Sequence, residues 1–262
     1  SMSPFIHNEW FNTYKIDAYY HPFHITEEDL KDAITGFRAF GIGGFNVTVP
    51  HKLNIIPLLD EIDPLAKAIG AVNTVVCEKG KLIGYNTDGE GLLMGLKKKL
   101  SNLPEKKVLI VGAGGAARAI YFTLAKEGVQ LIDLANRTVS KAKQLISECP
   151  FDVKSSALTL HESEERLHEY DLIIQTTSIG MLPKIDESPI SLEHLKQGAF
   201  VCDIIYNPLE TKFLKEAKQK GAIIDNGIDM LLYQGALAFE KWTGVLPSTD
   251  KMKQNIEEQL GG

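Results

Sequence analysis

Residues 107–128 read KVLIVGAGGAARAIYFTLAKEG, and the fold follows from how that run is parsed. Lys107-Val108-Leu109-Ile110-Val111 is an apolar run of strand length, as a strand buried in a parallel sheet requires. It passes directly into G-x-G-x-x-A and then into a helix ending at Gly128. Strand, glycine-rich turn and helix in that order favour a dinucleotide loop over a merely structural glycine turn. Gly112 permits the tight turn, and Gly114 lets backbone approach a pyrophosphate. Ala117, small in place of a third glycine, keeps helix and strand close. The helix N-terminus supplies unpaired N–H groups and a positive dipole end for the phosphates.

The next apolar strand, LIDLA (131–135), should end where a ribose-binding acid sits if the cofactor is NAD. It ends instead in Asn136-Arg137-Thr138, with Lys141 one turn into the next helix. An arginine there can hold a 2′-phosphate that a carboxylate would repel, so NADP(H) is favoured over NAD. The competing reading is that Arg137 and Lys141 only solvate the start of a helix.

Outward from this unit, strand-like and helix-like segments alternate along the chain, which predicts α/β architecture with largely parallel sheets. Ahead of the loop come a strand IDAYY (16–20), a helix over 26–40 with Thr26 as N-cap, and a strand GFNVTVP (44–50). Helices around 52–60 and 64–69, strands VNTVVC and LIGYN, and a helix from about Asp88 to Leu100 follow. The polar, proline-bearing SNLPEKK (101–107) reads as a domain joint. Beyond it DLIIQ, AFVCDII and AIID are further short strands, and two helices (229–242 and 249–260) close the chain.

Three segments before the joint put Asn, Thr or charge at strand ends: NVTVPHK, AVNTVV (71–76) and GYNTDGEG (84–91). In open α/β sheets, ligands bind beyond the carboxyl ends of strands, so Thr48, Lys52, Asn73 and Asp88 are expected to converge on one pocket. In that reading Val47 and Val49 face the core, while Asn46 and Thr48 lie on the ligand side. Hydride delivery to a ketone builds negative charge on its oxygen, which needs a cation and then a proton. A lysine partly desolvated in a cleft supplies both, and a carboxylate beside it orients it; Lys52 and Asp88 are that candidate pair.

Bulk properties narrow the class. The chain has 262 residues, 44% hydrophobic and 24% charged, with net charge −6. No apolar run reaches the ~20 residues of a membrane helix. The acidic balance argues against nucleic acid as a partner while leaving room for a small anionic ligand in a locally positive pocket. Cys77, Cys149 and Cys202 lack C-x-x-C spacing and read as buried thiols in a reducing cytoplasm. The seven histidines form no metal pattern.

Taken together, S-x-S-P-x-x-H-N (1–8), NVTVPHK, GAVNT, NTDGEG, GAGGAAR, NRT, TSIGM (177–181), DIIYNPLETKFL (203–214) and GIDMLLYQGALAFEKWTG (227–244) resemble the shikimate dehydrogenase family. The resemblance implies two domains: an N-terminal open α/β substrate domain, residues 1–88 plus 229–262, and a Rossmann-like NADP-binding domain, residues 89–228. It implies reversible NADPH-dependent reduction of 3-dehydroshikimate to shikimate in aromatic amino-acid (chorismate) biosynthesis, in the cytoplasm, by a monomer or homodimer. By matching position, Lys52 would be the acid/base and Asp88 its substrate-binding partner. Ser1, Ser3, Thr48, Asn73, Tyr206 and Gln234 would bind substrate. Gly112, Ala113, Gly114, Gly115, Ala116, Asn136, Arg137, Thr138, Lys141, Ile204 and Gly227 would line the cofactor site.

Two departures accompany the match. Family members carry a strand ahead of S-x-S-P, so residues are expected to precede Ser1. Gln175-Thr176-Thr177-Ser178 stands where the family more often has Asn and Ala. The alternatives are a quinate/shikimate dehydrogenase that accepts NAD, and a non-catalytic dinucleotide-binding sensor. Retention of both Lys52 and Asp88 argues for an enzyme.

Overall fold

The computed structural model describes residues 1–261. It opens on helix α1 (Ser3–Tyr14), which the residue pattern did not announce. Ile6, His7, Trp10 and Phe11 are its buried face, and Pro4 lies in the first turn, where a missing N–H costs nothing. Burial drives the His7 imidazole down to about 3, so it stays neutral. IDAYY, expected as a strand, is irregular. No strand pairs with it among the described residues, and a strand without a ladder has no partner for its backbone. The Asn8 side chain instead bonds both backbone groups of Tyr20, at 2.8 and 2.9 Å.

Helix α2 (Leu30–Phe40) buries Leu30 and Ile34 and stops at Gly41, whose φ of 67° closes the last turn. The Thr26 hydroxyl accepts the Asp29 N–H (3.2 Å) as an N-cap would, but regular helix starts only at Leu30. Then come β1 (Gly44–Asn46), α3 (His51–Asn54), β2 (Glu61–Ile62), α4 (Pro64–Ile69), β3 (Thr74–Glu78) and β4 (Lys81–Tyr85). The helix expected over 52–60 breaks after α3 into a 3-10 turn, Ile56–Leu58, where Pro57 has no N–H to give.

The first sheet runs β1-β3-β4-β2. It is not largely parallel as expected: β1–β3 and β3–β4 are antiparallel, and only β2–β4 is parallel. The cause is local. Lys79 and Gly80 both take positive φ (49° and 81°) and form a two-residue hairpin turn, which joins only antiparallel neighbours. The strand expected over 44–50 ends at Asn46, and the in–out alternation ends with it. Val47 is buried, but Val49 is 79% exposed rather than in the core.

Helix α5 (Asp88–Lys99) leads to the second sheet, made of β5 (Lys107–Val111), β6 (Leu131–Ala135), β7 (Ala157–Leu158), β8 (Leu172–Gln175), β9 (Phe200–Asp203) and β10 (Ile223–Asp225). Helices α6 (Gly115–Lys126), α7 (Val139–Glu148), α8 (Leu160–Glu165) and α9 (Lys212–Gln219) lie in four of the five connections, and residues 176–199 between β8 and β9 carry no helix. Every pairing is parallel, in the order β10-β9-β8-β5-β6-β7. The chain therefore winds one way from β5 and the other way from β8, and the crevice between their ends is the switch point at which such sheets bind ligands.

Helix α10 (Ile228–Thr243) and α11 (Asp250–Gly261) return to α1, burying Ile228, Leu232, Phe239, Met252 and Ile256 with Ile6, Trp10 and Phe11. Helix α5 passes between α6 and α10 at a distance only glycine allows. A Cβ on Gly89 would lie 2.5 Å from the Ala119 carbonyl oxygen, and one on Gly91 2.6 Å from the Gln234 nitrogen. Among the cysteines only Cys202 is buried; Cys77 and Cys149 are half-buried. No described helix is long and apolar enough to cross a membrane.

Candidate active site

Lys52 sits in the first turn of α3, directly after Pro50 and His51. Its Nζ donates to Asp88 Oδ2 at 2.6 Å, and the two side chains are 26% and 17% exposed. Asp88 opens α5, where a carboxylate also meets the positive end of the helix dipole. Its other oxygen, Oδ1, accepts from Asn73 Nδ2 at 2.8 Å. Backbone bonds hold the same residues: Val72 N–H donates to the Lys52 carbonyl (2.8 Å), and Asn73 N–H to the Tyr85 carbonyl (3.0 Å). Lys52, Asn73 and Asp88 thus meet at one point.

The orientation of the Asn73 amide is fixed by groups that can play only one part. Its Oδ1 accepts the Thr87 backbone N–H (2.9 Å), which only donates, while its Nδ2 faces the Asp88 carboxylate. Thr87 and Thr74, both fully buried, add hydroxyl bonds to Asn73 at 3.0 to 3.2 Å. Sequence reasoning passed over these two threonines. The signal was the repeated Asn-Thr pair, Asn73-Thr74 and Asn86-Thr87, at the open end of the β3–β4 hairpin.

The remaining expected substrate residues stand at different distances from this centre. Ser1 Oγ donates to Ser3 Oγ (3.2 Å). Burial drives the Tyr20 phenol up to about 12, so it remains a donor, and it donates to Asn46 Oδ1 at 3.0 Å. Asn46 Nδ2 in turn donates to the Asn73 carbonyl and to Thr74 Oγ1, both at 3.2 Å. Tyr20 therefore connects to Asn73 through Asn46, while the side chains of the two serines bond only within their own pair among the described residues. Asn46 is tied into this network, not left open on a ligand face. Gln234 lies on α10 against Gly91, with Nε2 donating to the Leu231 carbonyl (2.8 Å). Tyr206 packs with the α1–α10 cluster. Thr48 is exposed, and no side-chain bond joins it to the other residues of the group.

At the switch point, Gly112 has φ 119°, and a Cβ there would meet Thr176 Oγ1 at 2.3 Å. Gly114 and Gly115 behave differently. Both are exposed, with nothing within 4 Å of where a Cβ would stand, so packing alone does not demand glycine there. Approach of a ligand to bare backbone does. No side chain caps the N-terminus of α6. Ala113 and Ala116 flank the loop half-buried. At the end of β6, Asn136 Nδ2 donates to the Thr138 carbonyl (2.9 Å) and shapes the turn. Arg137, Thr138 and Lys141 are exposed, and neither cation joins an ion pair among the described residues. An open helix start and two uncommitted cations fit a pyrophosphate and a 2′-phosphate. Across the crevice, Gly227 abuts Ile204 so closely that a Cβ would lie 2.0 Å from the Ile204 carbonyl oxygen.

The loop after β8 is tied by Gln175, which is fully buried. Its Oε1 accepts the Thr177 N–H, and its Nε2 donates to the Thr177 and Ile179 carbonyls at 3.1 Å. Beneath it, burial pushes the Asp203 carboxyl up to about 6, against bonds from the Ile205 N–H (3.0 Å) and the Thr211 hydroxyl (2.7 Å). A folded-state value above the unfolded one means the fold favours the neutral acid. The stability it contributes is present below the ordinary aspartate range and is lost as pH rises to about 6. Relative to Asp203→Asn, the wild type is expected to lose ~2 kcal/mol of urea stability between about pH 4 and pH 7. Parallel curves for the two proteins would contradict this.

Known proteins decide the family. Profiles described as shikimate dehydrogenase substrate binding domain, shikimate/quinate 5-dehydrogenase and shikimate 5′-dehydrogenase C-terminal domain match residues 1–75, 95–206 and 227–257. The chain belongs to the shikimate dehydrogenase family. A family member from Geobacillus sp. (strain WCH70), shikimate dehydrogenase (NADP(+)), is 56% identical over all of this chain and 95% of its own length. A crystal structure of a shikimate dehydrogenase in complex with NADP+ superposes with TM-score 0.92 at 46% identity, covering 99% of this chain and 91% of that one. The Thermus thermophilus shikimate dehydrogenase in complex with NADP(H) and shikimate gives TM-score 0.88 at 34% identity, over 98% and 94% of the two chains.

Proposed function

We propose that this protein catalyses the reversible, NADP(H)-dependent reduction of 3-dehydroshikimate to shikimate, with Lys52 as acid/base and Asp88 as its partner. The observation that carries the residue assignment is the 2.6 Å Lys52–Asp88 pair, braced by Asn73. NADP(H), when bound, supplies or accepts the hydride. In the reducing direction the Lys52 ammonium donates a proton to the carbonyl oxygen as it gains charge. In the oxidising direction the neutral amine takes the hydroxyl proton. Asp88 accepts from Lys52 and keeps the amine aimed at one place, and Asn73 keeps Asp88 from turning away.

Ser1, Ser3, Asn73, Tyr206 and Gln234 offer the hydroxyl and amide groups that a polyol acid needs, with Thr48 as an exposed member at the rim. In this reading residues 1–88 with 229–262 hold the substrate and 89–228 hold the cofactor; Gly262 lies outside the described residues. The phosphates rest on Gly112 to Ala116 and the start of α6, and Ile204 with Gly227 edge the nicotinamide side.

Arg137 carries the cofactor preference. Arg137→Ala is expected to lower the NADP-to-NAD ratio of kcat/KM about 10- to 100-fold, the loss of a charge-assisted hydrogen bond or two. Steady-state kinetics with both cofactors checks it. A ratio unchanged by the substitution, or NAD already preferred by the wild type, would remove the assignment.

A further inference from the structure

The glycine-rich loop is followed at once by an arginine whose side chain reaches from its own helix to the end of α4. Arg118 lies in the first turn of α6. Its Nε donates to the Ile69 carbonyl and its Nη2 to the Ala68 carbonyl (2.9 Å). These carbonyls belong to the C-terminal turn of α4, where the cap N–H of Gly70 serves only Ala66. A helix end leaves its last carbonyls without intrahelical donors, and the guanidinium fork fills two of them at the negative end of the dipole. Nη1 pairs with Glu148 of α7, and the guanidinium lies 4.6 Å over the Phe122 ring. One side chain is therefore anchored in the dinucleotide-binding part and grips the other part.

What it grips leads directly to the reaction centre. After Ile69 come Gly70, Ala71, Val72 and Asn73. Asn86 Nδ2 donates to the Ala71 carbonyl (3.0 Å), Val72 N–H donates to the Lys52 carbonyl (2.8 Å), and Asn73 holds Asp88. The second contact of α6 with this region is Gly89, packed on Ala119 and Thr123. The packed Gly89 contact fixes how close α6 comes, and Arg118 fixes where the 68–73 segment sits along it.

We infer that Arg118 is a positioning residue, which sets the Asn73–Lys52–Asp88 group against the helix that begins the cofactor loop. The inference rests on the proposed roles of those three residues. It makes a specific demand: loss of Arg118 should spoil the alignment of two sites that each still bind. A displacement of about 1 Å at the reacting atoms costs about 100-fold in rate.

The test compares Arg118→Met, Arg118→Lys and Glu148→Gln with the wild type. It measures binary dissociation constants for NADP+ and for shikimate, kcat, and the isotope effect with shikimate deuterated at the oxidised carbon. Arg118→Met is expected to lower kcat about 100-fold with a full isotope effect, while both binary constants stay within about threefold. Arg118→Lys, with donors but no fork, should fall between. Glu148→Gln, which leaves the bonds to α4 intact, should keep kcat within about threefold. Should Arg118→Met fail to fold, Arg118→Lys carries the same comparison. A kcat near wild type in the soluble Arg118 variants would overturn the inference. So would NADP+ binding that weakens as much as kcat falls, since Arg118 would then serve the cofactor site alone. A wild type that does not oxidise shikimate would sink the proposed function and this inference together; turnover with an indifferent Arg118 sinks only the latter.

Discussion

Lys52→Ala is expected to lower the turnover number for shikimate oxidation about 1,000-fold, within the usual range for a positioned acid/base. The large effect follows from the surroundings of the amine. Its only hydrogen-bond partner among the described residues is Asp88, at 2.6 Å, so no second side chain stands ready to take the proton. Lys52 is also 26% exposed, enough to exchange protons with solvent between turnovers. In the proposed assignment binding draws on Asn73 and the surrounding hydroxyl and amide groups, so the binary dissociation constant for shikimate should change by about threefold or less. Stopped-flow NADP+ reduction with equilibrium binding on the same samples separates the two effects. Equal loss in binding and turnover would make Lys52 a substrate anchor.

Gly89→Ala is expected to destabilise the protein by about 1–3 kcal/mol, the usual cost of forcing volume into a packed contact. The added methyl would meet the Ala119 carbonyl oxygen at 2.5 Å and Thr123 Oγ1 at 2.2 Å. The threonine hydroxyl can rotate away, but the carbonyl belongs to the backbone of α6 and cannot. Relief requires α5 and α6 to separate, and Asp88 is the residue beside the contact. Turnover should therefore fall together with the urea midpoint. A soluble Gly89→Ala protein with wild-type kcat would show that the spacing of α5 and α6 does not hold Asp88 in place.

The sequence made some parts of this molecule plain and hid others for physical reasons. The parallel sheet was legible because a strand buried on both faces is apolar along its length, as VLIV (108–111) and LII (172–174) are. The pairing of Lys52 with Asp88 was legible because both follow strand ends where packing would prefer apolar residues. IDAYY misled: it has strand-like residues, but strand formation depends on a neighbour that no single segment announces. Val49 misled in a similar way, since alternation predicts a face only while the strand lasts. The mixed first sheet was hidden in Lys79-Gly80, a turn recognisable chiefly by its positive φ angles. Arg118 looked like one more residue of the glycine motif. Only the folded chain shows it reaching the end of α4, 49 residues earlier in sequence.

The decisive measurement is the single-turnover rate of shikimate oxidation in wild type and Lys52→Ala, with the deuterium isotope effect in each and a small primary amine added back to the variant. In the proposed mechanism Lys52 takes the hydroxyl proton. The expected result is a variant about 1,000-fold slower, with hydride transfer limiting, whose rate rises as the amine is added. A variant rate within a few-fold of wild type under the same limiting step would contradict Lys52 as the proton acceptor.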